Sequence, residues 1–357
     1  MITKVLFITG RSKNEEPRPW TTDQKALPWP FCRRFVRHMQ VEVVHCSGTK
    51  PRHLADLRAT VEVLSTYSRY DVILSEQLST IIFPIIPLLL VHRFLRRKTP
   101  KLVALDIPIS VRGKSIVVEH LIKSLTPVIS QIICFTSTQK DWWRRFMHFS
   151  RVEFVPLGID PTFNFSDDCE ICCDIFAGGN EGRDYETLVT AAHNLKKNVT
   201  IVSSYRLPRR ISDDPLVRSL NWFVPFDVFI RLMSESRVVA VILKESTFAA
   251  AQTVLLEAMA MGKPIVVTKT ASTQDYIEDG KTGLFVNPGD VQDLEDKLRR
   301  LLSDSSLMQS LGSNARQTVR ERFSATRTEE QIVSIIRSSF ASPPESLQHG
   351  RRRYCRL

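Results

Sequence analysis

The sequence predicts an α/β protein built from two doubly wound parallel sheets that face each other across a cleft. Three observations point there. Short apolar runs rich in β-branched residues alternate with helical-period segments along most of the 357 residues, the pattern of parallel strands joined by crossover helices. At roughly 100–200 residues per domain the length suits two separate cores. The alternation breaks at Val155-Pro-Leu-Gly-Ile-Asp-Pro161, where two prolines and a glycine can continue neither a helix nor a central strand. A composition of 43% hydrophobic and 24% charged residues excludes a disordered chain, a collagen and a disulfide-stapled miniprotein.

Before the break the strands are expected at Val5–Thr9, Val41–His45, Val72–Leu74, Leu102–Leu105, Gln131–Phe135 and Val152–Val155. Helices are expected near Pro30–Met39, His53–Thr66, Ser79–Leu95, Ser115–Leu125 and Gln139–Phe149. After it, strands fall at Ile171–Ala177, Val199–Ser203, Val238–Leu243, Pro264–Thr268 and Leu284–Val286. Helices follow at Asp184–Leu195, Asp227–Ser236, Gln252–Met261, Val291–Leu302, Leu307–Arg322 and Thr328–Phe340. This gives a first domain over 1–157, a second over 158–327, a helix at about 328–340 that can pack back on the first, and a basic tail at 341–357. The apolar start, Val5-Leu-Phe-Ile-Thr9, lacks the long hydrophobic region of a signal peptide and reads as a strand. No run of about 18 apolar residues is present to span a membrane.

Charge is unevenly placed. Residues 1–155 hold 24 Lys and Arg against 12 Asp and Glu, a surplus of 12, while the rest of the chain carries a net charge of −1. A basic first half meets an anionic partner or simply reflects a basic proteome. The seven cysteines have no framework spacing, which fits a reducing compartment; Cys169, Cys172 and Cys173 lead into a strand and read as core residues, not a metal or redox pair.

Two segments of the second half have the composition of a site. In Asp174-Ile-Phe-Ala-Gly178-Gly179-Asn180-Glu-Gly-Arg183-Asp184 a strand ends in two glycines, and a helix starts at about Asp184, a plausible N-cap. Glycines let backbone N–H groups approach an anion, and Arg183 adds a guanidinium; the plainer reading is a tight turn. In Thr247-Phe-Ala249-Ala-Ala251-Gln252-Thr253-Val-Leu-Leu-Glu257-Ala-Met-Ala-Met-Gly262, small residues precede a helix whose dipole favours a phosphate at its start. Glu257 is the only charge between Val254 and Met261. Such a carboxylate must find donors or lose its charge, and a ligand's hydroxyl pair would satisfy it.

Val254-Leu-Leu-Glu-Ala-Met-Ala-Met-Gly-Lys-Pro-Ile-Val-Val267, Asp275-Tyr-Ile-Glu-Asp-Gly-Lys-Thr-Gly-Leu-Phe-Val-Asn-Pro-Gly-Asp290, Pro156-Leu-Gly-Ile-Asp160 and Phe176-Ala-Gly-Gly-Asn-Glu-Gly-Arg-Asp-Tyr-Glu-Thr-Leu188 together resemble the retaining GT-B glycosyltransferases of family 4, glycosyl transferases group 1. The likeness runs from about residue 152 to 325 and is architectural before that. It implies two Rossmann-like domains and transfer of a hexose from a UDP- or GDP-linked sugar, a co-substrate and not a cofactor, with no metal. The second domain would hold the donor and the first a lipid-linked or saccharide acceptor. By the same likeness Glu257 holds the ribose hydroxyls. Gly178, Gly179, Asn180 and Arg183 form the opening phosphate site. Ala251, Gln252 and Thr253 meet the diphosphate and sugar, and the turn at Val224-Pro225-Phe226 cradles the base. The first glutamate of the family's E-x7-E motif is Ala249 here, and a family glycine is Ala251; these departures keep open a catalytically silent nucleotide-binding scaffold.

In the first domain, Gly10 and Arg11 follow the first strand at the cleft. Asp106 ends the 102–105 strand and is, with Arg183, a candidate catalytic residue; its plainer reading is a loop or capping aspartate. The apolar stretch Ile81–Val91 followed by His-Arg-Phe-Leu-Arg-Arg-Lys98 is either a buried crossover helix or a peripheral contact with an anionic membrane. A cytoplasmic location, with work at the membrane's inner face, is the expectation. Nucleic-acid binding through Trp142 and Trp143 is the weaker use of the positive charge.

Overall fold

The strand sequences are short, valine- and isoleucine-rich and apolar on both faces, as strands between two helix layers must be. A computed structural model, describing residues 3–9, 39–45, 60–76, 82–95, 99–106, 128–160, 170–220, 224–245 and 250–341, places them in two six-stranded sheets. The first contains β1 (Lys4–Thr9), β2 (Gln40–His45), β3 (Val72–Glu76), β4 (Lys101–Leu105), β5 (Ile129–Cys134) and β6 (Val152–Phe154), in the order β2-β1-β3-β4-β5-β6. The second contains β7 (Cys173–Gly178), β8 (Val199–Val202), β9 (Val217–Leu220), β10 (Ser236–Val241), β11 (Ile265–Thr268) and β12 (Leu284–Val286), in the order β12-β11-β10-β7-β8-β9. All described strand pairs are parallel.

The described helices are α1 (Ile82–Phe94), α2 (Ser137–Phe146), α3 (Tyr185–Asn194), α4 (Arg209–Ser212), α5 (Phe226–Ser234), α6 (Gln252–Ala260), α7 (Val291–Ser303), α8 (Ser305–Arg322) and α9 (Ala325–Ala341). One face of each sheet joins a single apolar core. Val5, Leu74 and Leu105 of the first sheet, Leu157 of the linker, Phe176 and Val241 of the second, and Ile332 and Ile336 of α9 all belong to it. Burial at about 25 cal/mol per Å² of apolar surface makes this shared core the main adhesive between the domains.

The linker is held in place by polar contacts. Ile159 and Ala325 exchange backbone hydrogen bonds with Phe323 and Ile159 at 2.9 Å, and Thr328 Oγ1 donates to Pro156 O at 2.9 Å. Gly158 passes so close to the α8–α9 junction that a Cβ there would lie 2.4 Å from Ser324 O. The second crossing between domains thus lies against the first, and α9 returns to the first domain, where Lys101 Nζ donates to Ser339 O.

Several expectations need correction. The edge strand β9 and the single turn α4 were not foreseen: Val217-Arg-Ser-Leu220 is half-exposed and lacks the continuous apolar signal of an interior strand. α2 starts at Ser137, two residues early, because Thr136 caps it by accepting from Gln139 N. α1 is not a fully buried crossover helix, since Ile86 and Leu89 are buried while Leu90, Val91 and Phe94 are exposed. Cys172 is exposed and only its neighbour Cys173 is buried, so the two are not both core residues. Gly10, Arg11, Ala249, Cys169, the 115–125 helix, most of the 30–39 helix and the basic tail from 342 lie outside the described residues. Among the described residues no helix is long and apolar enough to cross a membrane.

Candidate functional site

In the second sheet β7, β8 and β9 run to one side and β10, β11 and β12 to the other, so the strand order reverses between β7 and β10. Connections leaving adjacent strands in opposite directions open a crevice at the strands' carboxyl ends. The two segments singled out in the sequence leave these two strands. β7 ends at Gly178, and its loop turns through Gly179 (φ +111°) and Gly182 (φ +68°) into α3, which Asp184 caps by accepting from Thr187 N at 3.2 Å. The loop is laced to the exit of β10: Asp184 N donates to Ile242 O at 2.9 Å and Lys244 N to Gly182 O at 2.8 Å. A Cβ on Gly182 would lie 3.7 Å from Cβ of Ala250, which places the glycine turn beside the start of α6.

Arg183 folds back over its own turn. Its Nε donates to Gly178 O at 2.8 Å and Nη1 to Glu181 O at 3.1 Å. A Cβ on Gly179 would sit 2.4 Å from Nη2, so both φ and the guanidinium require glycine there. Burial pulls the guanidinium below its ordinary pKa while Tyr185 and Glu181 push it back up. An arginine so placed keeps its charge. The Tyr185 hydroxyl donates to Gly179 O, and burial raises its pKa to about 12.

Two members of the turn have structural partners. Gly178 is glycine because a Cβ would lie 2.6 Å from the Phe229 ring of α5. Asn180 Oδ1 accepts from Ser203 Oγ at 3.0 Å and Ser204 N at 2.8 Å, tying the turn to the exit of β8. Val224 and Pro225 precede α5, whose Phe229 stacks edge-on to Phe176 of β7 at 5.2 Å.

α6 begins without a side-chain cap: its N-cap residue is Ala251, left-handed at φ 74°. Its first N–H groups therefore have no intrahelical acceptor. A left-handed L-residue costs roughly 1–2 kcal/mol, so Ala251→Gly is expected to raise stability by about 1 kcal/mol. Thermal unfolding would show it as a rise of about 2–4 °C. Gln252 opens the helix with its side chain 6% exposed, Thr253 is half-buried, and Glu257 is completely buried at 0%. Gly262, left-handed at φ 68°, ends the helix and passes under Gly312 of α8, where a Cβ would lie 2.0 Å from Gly262 O. This close packing anchors α6. Lys263 Nζ, donating to Ser234 O and to Ser236 O at 2.8 Å, also pins the following turn to the start of β10.

Asp106 ends β4 at φ 45° and accepts from Gln139 Nε2 at 3.1 Å. That puts it beside the start of α2, where sequence reading missed a contact between the domains. Asp275 of the second domain accepts from Ser137 N at 2.8 Å and Ser137 Oγ at 2.6 Å, capping α2 from across the chain. The hydroxyl of its neighbour Tyr276 donates to Phe135 O and accepts from Leu157 N, both at 2.9 Å. The only sequence signal was a buried-type aromatic beside an acid in a segment valued for its likeness alone.

Comparison with known proteins converges on the same half. Residues 223–318 match the family described as Glycosyl transferases group 1. The capsular polysaccharide biosynthesis glycosyltransferase CapM of Staphylococcus aureus is 32% identical over 82 residues, 23% of this chain and 22% of that protein. A sulfoquinovosyl transferase of Arabidopsis thaliana is 43% identical over 67 residues, 18% of this chain and 13% of that one. The chain thus matches about a fifth or less of the length of these relatives. Over the whole fold, the crystal structure of Anabaena HepE in complex with UDP and glucose superposes with a TM-score of 0.68 at 18% identity, covering 94% of this chain and 100% of that one. The protein therefore has the two-sheet GT-B architecture, and its residues 223–318 form a Glycosyl transferases group 1 domain.

Proposed function

We propose that the protein transfers a hexose from a nucleotide-diphosphate sugar, UDP- or GDP-linked, to a lipid-linked or saccharide acceptor, with retention at the sugar. The observation that carries this reading is the meeting of Arg183, the glycine turn and the uncapped start of α6 at the switch point of the second sheet, with Glu257 buried one and a half turns along that helix. Charge develops on the departing diphosphate in such a transfer. A fixed guanidinium and oriented backbone N–H groups stabilise it without reorganising, so the reading needs no metal. Glu257 would accept the ribose hydroxyls, and Val224-Pro225 would flank the base. Asp106, near the Asp275–Tyr276 contact, would face the acceptor side.

The basic surplus of the first half and the exposed Leu90, Val91, Phe94 and Leu95 of α1 support work at an anionic membrane face, with Phe94 87% exposed. Thermal unfolding with UDP, GDP and their sugars tests the donor class. A nucleotide at a hundredfold its dissociation constant adds about 2.7 kcal/mol of apparent stability, and transfer or slow hydrolysis of the matching sugar nucleotide is expected. Ala249 favours a second reading, a nucleotide-binding scaffold, which binds the nucleotide and turns over no sugar in the same assay.

A further inference from the structure

Gln252 is the first residue of α6, 94% buried, and its Nε2 has no hydrogen-bond partner among the described residues. Buried amide groups are almost always paired, and one held unpaired costs stability. It directly follows the strained left-handed Ala251. Two consecutive costs at one helix tip, neither repaid by a cap, mark a place shaped for something other than folding.

The chemistry of the side chain limits what that is. Nε2 is a neutral donor and demands an acceptor oxygen. An anionic diphosphate beside this tip already has the Arg183 guanidinium and the free backbone N–H groups of α6. The segment 246–252, Ser-Thr-Phe-Ala-Ala-Ala-Gln, holds no acid, so no carboxylate there can accept from a sugar hydroxyl. Resting on the nucleotide-sugar reading above, we infer that Gln252 is a specificity-determining residue that donates from Nε2 to an oxygen of the transferred sugar. A site that must pair a buried polar group discriminates strongly against a ligand unable to pair it.

The test is calorimetric binding of UDP, GDP, UDP-glucose and GDP-glucose to the full chain and to its Gln252→Ala and Gln252→Glu variants. For the nucleotide that binds the parent, both variants are expected to hold it within about twofold. Both are expected to lose at least tenfold in affinity for its sugar conjugate, as a lost hydrogen bond implies. Unliganded variants should melt no lower than the parent, since an unpaired amide contributes nothing to the empty fold. Equal losses for nucleotide and conjugate would move Gln252 to the diphosphate and overturn the inference. A lower melting point with unchanged ligand binding would make the residue structural and overturn it too. If the parent binds none of the four, the nucleotide-sugar reading itself falls.

Discussion

Tyr276→Phe is expected to cost about 3 kcal/mol of stability, although it removes a single oxygen far from any strand. The hydroxyl joins Phe135 O, at the exit of β5, to Leu157 N in the linker, and the residue is 1% exposed. Removing it strands a buried carbonyl and a buried N–H, each worth about 1–3 kcal/mol when left unpaired. Burial also holds the phenol's pKa far above its ordinary value, so the hydroxyl is a permanent donor at working pH. Denaturant unfolding and limited proteolysis of the linker would both report the loss. Tyr205→Phe is the control: that ring is exposed and its hydroxyl meets only Glu181, so little change is expected. Equal melting of parent and Tyr276→Phe would show that the two domains are joined by the apolar core alone.

The second large effect is on binding. Glu257→Gln keeps the volume of a fully buried side chain and replaces one carboxylate oxygen by an amide, so the fold should survive while two ligand hydroxyls lose an anionic acceptor. Hydrogen bonds to charged groups contribute about 1.5–3 kcal/mol, which corresponds to a loss of roughly 10- to 150-fold in affinity. Arg183→Ala should match it for a different reason, since it removes the cation from the glycine turn. Arg183→Lys should recover only part, because an ammonium cannot reach Gly178 O and Glu181 O as a fork. Calorimetry with UDP and GDP measures all three. Binding at parental strength in both Glu257→Gln and Arg183→Ala would detach the nucleotide from this crevice.

The legible parts of the fold were those governed by local pattern. Continuous apolar runs such as Val238–Val241 and Ile265–Val267 announced interior parallel strands because such strands are buried on both faces. The prolines of the linker announced the division, and the lone Glu257 in an apolar helix announced its burial. What remained hidden depends on partners remote in sequence. β9 is a half-exposed edge with no periodic signal. Gly178 looked like a phosphate-turn glycine, yet its nearest neighbour is Phe229, more than fifty residues on. Asn180 looked like a ligand residue and is engaged with Ser203 and Ser204. Asp275 and Tyr276 make their contacts across roughly 120–140 residues, a separation that no window of sequence encodes.

The most direct measurement is a crystal structure of the full chain with the better-binding nucleotide, UDP or GDP. The diphosphate is expected against the Gly179–Arg183 turn and the first N–H groups of α6, with both ribose hydroxyls on the Glu257 carboxylate. A nucleotide bound away from the β7–β10 switch point, or one whose ribose leaves Glu257 untouched, would contradict the assignment.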